Sequence, residues 1–237
     1  MNIRSLQTFI RVVELKSFTK AACELNYVQS TVTMQIQQLE KELGYPLFDR
    51  IGKKIALTSY GENFFIYANE VLQIMQRVNN VGKNPEEMKG TLRIGLLESL
   101  LSGTTQHIFP LFKAHYKNIE VHLKMGQLYE LLPLLRQGQL DMLYISGELN
   151  MDPDFHCCYK RKENLVFISA PDHPLAGEHG VPEYSVSDYI KQQRLAQISV
   201  NIPPQIYYSQ ILHCKDKWIP PFMNEWISLI HEYRPER

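Results

Sequence analysis

The sequence predicts a helical front module and an α/β rear module joined by one long helix, an α + α/β protein. Three observations carry that expectation. Apolar residues recur at helical spacing as far as Leu43, a second helical stripe runs from Ser59 to Val78, and beyond Gly90 short apolar runs alternate with amphipathic stretches. At 237 residues the chain suits two modules, one large enough to bury a real core.

In the front module, Leu6, Phe9, Ile10 and Val13 mark a first amphipathic helix ending near Lys16. Ser17 is placed to cap a short second helix, Phe18 to Leu25, where Ala21 and Ala22 let a neighbouring helix approach closely. Asn26 and Tyr27 form a tight turn. A third helix runs from about Gln29 to Leu43 with Val32, Ile36, Leu39 and Leu43 on its buried face and Gly44 as its stop. Two helices joined by so short a turn make a helix-turn-helix. After Pro46, the basic segment Asp49–Arg50–Ile51–Gly52–Lys53–Lys54 with Gly52 at its tip reads as a hairpin, a wing beside the helices.

Ser59, with Glu62 three residues on, predicts a capping box opening a long helix through Phe64, Phe65, Ala68, Val71, Leu72, Met75 and Val78. Its apolar residues read as a seam that pairs with a second subunit. Lys83–Asn84–Pro85–Glu86 ends it. The expected organisation is therefore residues 1–58 for the helix-turn-helix and wing, 59–89 for the linker and dimerisation helix, and 90–237 for the α/β domain.

In the rear module, strands at Thr91–Leu97, Ile119–Met125 and Asp141–Ser146 alternate with helices at Thr104–Tyr116 and Leu128–Gln137, which predicts a parallel sheet with crossover helices. Leu165–Ala170 adds a strand before the turn at Pro171–Asp172–His173–Pro174. A short helix (Ser187–Gln193), strands at Arg194–Val200 and Gln205–Cys214, and a last helix (Phe222–His231) follow.

The chain has 25 basic and 25 acidic side chains, yet the first 58 residues hold eight basic and five acidic ones, a net +3 against −3 for the rest. That asymmetry mildly favours a polyanionic partner for the front end. Cys23, Cys157, Cys158 and Cys214 form no CxxC pair, so neither disulfide scaffolding nor a structural zinc is expected. His156–Cys157–Cys158 and His213–Cys214 read as strand residues with structural thiols rather than a metal or redox site. No apolar run reaches membrane-spanning length, and the chain is read as cytoplasmic with no membrane partner. No nucleophile, base and orienter set or phosphate loop is present, so no enzyme, catalytic residue, metal or cofactor is expected.

The run Phe18–Thr19–Lys20–Ala21–Ala22, then Gln29 to Gly44, then Leu47–Phe48–Asp49–Arg50 and Leu57–Thr58 with Gly61, resembles the winged-helix signature of the LysR-type transcriptional regulators at every spacing. Gly126, Gly138–Gln139–Leu140–Asp141 and His173–Pro174–Leu175 resemble that family's effector domain. The resemblance implies a C-terminal domain like the periplasmic solute-binding proteins, two α/β subdomains with a small-molecule pocket between them. It also implies double-stranded DNA as partner, self-association as a homodimer or homotetramer, and RNA polymerase as a further partner. The sequence departs from the pattern around 175–181, where strands and helices of the second subdomain are missing. An internal deletion near Gly180 is expected, with the second subdomain shortened and effector sensing impaired.

The third helix carries the candidate DNA-reading residues: Gln29 and Gln35 for bidentate reading of adenine, Ser30, Thr31 and Thr33 for hydroxyl or methyl contacts, with Met34 and Gln37 on the same polar face. The resemblance implies that the position of Met34 is commonly basic. Arg50, Lys53 and Lys54 of the wing are placed for phosphates or a minor-groove edge. By itself a Gln-rich face is a solvated surface; the surrounding motif is what turns it into a reader. The resemblance also places an effector near the start of the first sensor helix. Ser99, Leu100 and Ser102, with Gln127 and Ser146 at neighbouring strand ends, are the candidate ligands for a carboxylate-bearing metabolite. Helix capping is the competing role for these hydroxyls.

Overall fold

The computed structural model describes residues 1–51, 54–101, 105–147, 152–169, 180–182, 189–192, 194–198 and 206–233. Its contacts fall into two units, Met1–Val81 and Gly82–Arg237.

In the first unit α1 (Ile3–Leu15) is capped by Asn2, whose side chain accepts from the Ser5 amide, and stops at Lys16 in the left-handed region. Ser17 caps α2 (Phe18–Glu24) by accepting from the Lys20 amide. Asn26, also left-handed, turns the chain into α3 (Gln29–Leu43), which ends on Gly44 at φ 82°. Val32, Ile36 and Leu39 of α3 are buried with Phe9, Ala21, Ala22 and Leu47. Phe9 is the hub, its ring 5.4 Å from Phe48, 5.1 Å from Phe64 and 6.2 Å from Phe65. Strands β1 (Phe48–Ile51) and β2 (Lys54–Leu57) pair antiparallel as a hairpin.

The long helix α4 (Ser59–Asn79) departs from expectation twice. Its cap is Thr58, not Ser59: the Thr58 hydroxyl accepts from the Gly61 amide at 2.9 Å and donates to the Pro46 carbonyl at 2.8 Å. One hydroxyl thereby satisfies a helix-start donor and ties the helix to the chain before the wing. The seam also differs, because Phe65 and Ala68 are buried in the core of their own unit, with Phe64 and Leu72 packed against it. The face that stays open carries Tyr67, Val71, Ile74 and Val78, at 64%, 37%, 56% and 57% exposure.

The second unit is built on one mixed sheet. Its strands are β3 (Gly90–Leu96), β4 (Ile119–Met125), β5 (Met142–Ser146), β6 (Phe155–Ser169), β7 (Gly180–Pro182), β8 (Ala196–Ile198) and β9 (Ile206–Cys214). The order is β4-β3-β5-β9-β6-β7, with β8 also on β6. Among the described residues parallel pairing joins β4, β3 and β5 alone, as expected for the alternating segment; β9 pairs antiparallel with both β5 and β6, so the expectation of a parallel sheet holds for that first part. Strand β9 runs back between β5 and β6, antiparallel to both. Strand β6 starts ten residues before the apolar run that marks it in sequence, because its polar half, Lys160 to Glu163, is carried by pairing with β9.

Helices α5 (Gln106–His115) and α7 (Pro221–Glu232) share a core with Leu92, Ile94, Leu96, Ile108, Phe112 and Trp226. Helix α6 (Leu128–Arg136) builds a second cluster through Leu131 and Leu135 with Leu140, Leu143, Ile145 and Leu212. Alternate residues of β5 serve the two clusters, Met142 and Tyr144 against Leu143 and Ile145, so α6 lies on the sheet face opposite α5 and α7.

Candidate nucleic-acid interface and effector edge

On α3 the apolar stripe faces the core, which leaves Gln29, Ser30, Met34 and Gln37 exposed and Thr31, Thr33 and Gln35 half-buried. Thr33 donates to the Gln29 carbonyl at 3.0 Å, a bond made within the helix, and the Gln29 amide oxygen accepts from Thr19 at 3.1 Å. Gln29 is thus held by the short second helix with its amide nitrogen left for a partner. Gln35 is turned the other way. Its Oε1 accepts from the buried Thr8 hydroxyl at 2.6 Å, so this side chain braces α3 against α1 instead of standing beside Ser30 and Gln37.

Glu40, near the end of the same helix, accepts from the Leu47 and Phe48 amides at 2.7 and 3.2 Å, which pins the start of the hairpin to α3. Arg50 and Lys54 lie on the paired hairpin strands, opposite Ile55 and Ile51 respectively. Lys53, with Gly52, lies outside the described residues. Sequence reasoning passed over Thr8, Thr19 and Glu40, none of which sits on the polar face of α3. All three act by holding that face or the hairpin in place.

In the second unit, register brings three candidates to one edge. Leu96 is level with Met125 on β4 and with Tyr144 on β5, so the segments that follow these strands open at the same carboxyl end of the sheet. Ser99 sits there in a turn of 3-10 helix (Glu98–Leu100), Gln127 directly precedes α6, and Ser146 ends β5. Because α5 and α6 lie on opposite faces, this edge is a topological switch point, where open α/β sheets place ligands.

The individual side chains differ. Ser99 is half-buried; Ser146 is half-buried too, and its hydroxyl oxygen is buried with no hydrogen-bond partner among the described residues. Gln127 is spent on a capping box, accepting from the amide three residues on while Glu130 accepts from the Gln127 amide at 2.9 Å. Leu100 is fully buried in the core with Leu92 and Ile108, which takes its side chain away from the edge. Ser102 lies outside the described residues.

A polar group that sequence reasoning missed lies on β6 and β9. Glu163, buried, accepts from Ser209 at 2.7 Å and from Arg161 at 2.7 Å, and Arg161 also donates to the Tyr233 carbonyl at 3.1 Å. Arg161 and Glu163 stand two apart on one strand face, a spacing that reads as solvated surface until Ser209 and the Tyr233 carbonyl meet it. The thiols expected to be structural are partly buried. Burial, with the neighbouring Cys157, pushes the Cys158 thiol up to about 12, and burial raises Cys214, so neither forms a ready thiolate. No helix of the described residues is long and apolar enough to cross a membrane.

Residues 3–62 match the family described as bacterial regulatory helix-turn-helix protein, lysR family, and residues 85–181 match the LysR substrate binding domain. The chain is 34% identical over 182 residues to the uncharacterized HTH-type transcriptional regulator YwqM of Bacillus subtilis, covering 75% of this chain and 61% of that protein. It is 38% identical over 149 residues to the HTH-type transcriptional regulator CzcR of Bacillus cereus, covering 63% and 51%. To the RuBisCO operon transcriptional regulator of Allochromatium vinosum it is 31% identical over 185 residues, covering 76% and 60%. The matches thus span about half to three fifths of these relatives. Among solved structures, a full-length OxyR variant from Pseudomonas aeruginosa shares the fold at TM-score 0.71 and 16% identity, over 98% of this chain and 95% of that one. Full-length LysG from Corynebacterium glutamicum, with bound effector Arg, does so at TM-score 0.59 and 15% identity, over 97% and 96%.

Proposed function

We propose that this chain, which belongs to the LysR family of bacterial helix-turn-helix regulators, is a DNA-binding transcription regulator that reads an inverted-repeat operator as a dimer. The observation that carries the reading is the exposed polar face of α3, with Gln29, Ser30, Met34 and Gln37 outward and the apolar Val32, Ile36 and Leu39 inward. A major groove admits such a helix, with residues near its N-terminus meeting base edges. Arg50, Lys53 and Lys54 supply charge for phosphates, which gives affinity that falls with salt.

The dimer rests on α4. Tyr60, Phe64, Tyr67, Val71, Ile74 and Val78 follow one another at steps of four and three, the repeat of a coiled-coil seam, and all but the half-buried Phe64 are exposed. Residues 1–58 then form the reading head, 59–89 the linker and dimerisation segment, and 90–237 the sensor domain, acting in the cytoplasm alongside RNA polymerase.

The sensor would take a small carboxylate-bearing metabolite at the carboxyl edge of β3, β4 and β5. Ser146 supports this, since a buried hydroxyl without a partner is costly and a ligand oxygen would satisfy it. A second reading, DNA binding without an effector response, is favoured by one observation: the substrate-binding match ends at residue 181, although β9 and α7 still return to the sheet. A shortened second subdomain is the reading of that gap.

The test is selection of bound duplexes from a random library at near-physiological salt. An inverted repeat whose half-sites lie about one helical turn apart, or a multiple of that, is expected. A folded protein that enriches no motif would overturn the reading. Footprints of the selected site with and without carboxylate metabolites then separate the two readings of the sensor.

A further inference from the structure

His156 and His213 stand directly opposite each other on the antiparallel strands β6 and β9, their ring centres 5.1 Å apart and their planes at 52°. His156 is exposed, whereas His213 is buried at 3% exposure. The Nδ1 of His213 lies 2.8 Å from the Cys214 carbonyl oxygen. A carbonyl only accepts, so Nδ1 carries the proton and, in the neutral ring, Nε2 carries the lone pair. That Nε2 is buried and has no hydrogen-bond partner among the described residues.

We infer that His156 and His213 form a binding site for a divalent first-row transition ion of the Zn²⁺, Ni²⁺ or Cu²⁺ class, His213 coordinating through Nε2. Three features support the site. An ion about 2.0–2.1 Å from an imidazole nitrogen sits about 3.2 Å from the ring centre, so two rings at a tetrahedral angle stand about 5.2 Å apart. The observed separation is 5.1 Å. A backbone carbonyl on the other ring nitrogen, as Cys214 provides, is the arrangement that fixes tautomer and orientation in metal-ligating histidines. The nearby cation, Lys217, is already paired with the Asp141 carboxylate at 2.6 Å, which offsets its repulsion of a metal.

The cysteines are not part of this site. Cys157 and Cys214 pack with the α6 cluster and Cys158 with the core shared by α5 and α7. Among the described residues no third His, Cys, Asp or Glu joins the pair, so the protein supplies two nitrogens and water reaching the ion from the side of the exposed His156 completes the coordination. Imidazole donors of this kind select zinc, nickel or copper over magnesium or calcium.

The test uses the full chain without a polyhistidine tag, stripped with EDTA and titrated calorimetrically with Zn²⁺ and Ni²⁺. One saturable equivalent per chain is expected. Cu²⁺ should show nitrogen coupling in its paramagnetic resonance spectrum. His156→Ala, at an exposed position where folding is unaffected, should bind at least about tenfold more weakly, since even outer-shell changes cost that much. His213→Gln should do the same while keeping a buried acceptor, and serine at Cys157, Cys158 and Cys214 together should leave affinity unchanged. Absence of a saturable equivalent would overturn the site. So would His156→Ala binding as the wild type does, or a thiolate charge-transfer band with Co²⁺ that the serine variant loses.

Discussion

The Lys217 ammonium donates to the Asp141 carboxylate at 2.6 Å, tying the segment after β9 to the start of β5. The other oxygen of Asp141 accepts from the Arg93 amide at 2.7 Å, and the Arg93 guanidinium closes on Asp141 at 3.3 Å. One buried carboxylate thereby holds together β3, β5 and the approach to α7.

Asp141→Asn should lower stability by roughly 3–5 kcal/mol, because it leaves two buried or half-buried cations without their counter-charge. Burial by itself would raise the Asp141 carboxyl, but the charges of Arg93 and Lys217 hold it below the usual carboxylate range. A group depressed in the folded state stabilises fully above its unfolded value, about 3.9, and loses that contribution as pH falls through the folded value. Urea unfolding of both proteins should therefore show a gap that is constant from pH 7 to about 5 and closes below about 4. A gap independent of pH would mean the carboxylate charge is not what stabilises.

Gly61 leaves no room for a side chain. A Cβ there would sit 2.1 Å from the Leu47 carbonyl oxygen, a backbone atom that cannot swing aside. Gly61→Ala should cost at least about 1–3 kcal/mol by forcing α4 away from the chain before the wing. Chemical denaturation followed by circular dichroism measures it, and an unchanged midpoint would refute the close approach.

Ile74→Asp with Val78→Asp should leave the fold intact, since both side chains are exposed, and convert a dimer to a monomer. Sedimentation velocity reads the mass. A dimer that survives both changes would place the subunit contact elsewhere than the open face of α4.

Gln35→Ala and Thr8→Val should each lower stability by about 1 kcal/mol, the net worth of one hydrogen bond, and leave the selected DNA motif unchanged. Gln29→Ala should instead relax preference at one base position by about 1–3 kcal/mol. Library selection with the three variants distinguishes bracing from reading; a shifted motif with Gln35→Ala would return that residue to the readers.

The amino-acid sequence by itself determined the helix-turn-helix, the hairpin and the alternation of β3, α5, β4, α6 and β5. Each is encoded locally, by apolar spacing, by caps such as Ser17 and by stops such as Gly44. What depends on a partner distant in the chain was decided only by tertiary structure. Gln35 looks like Gln29 in sequence, and only the approach of Thr8 from α1 makes it a brace. Leu72 looks like a seam residue until α4 packs on its own unit. Arg161 and Glu163 look like surface until Ser209 of β9 and the Tyr233 carbonyl meet them, and His156 meets His213 only because two strands far apart in the chain pair in that register. Periodicity reports which face of an element is apolar; which neighbour that face or its polar side meets is set by the packing of the whole unit.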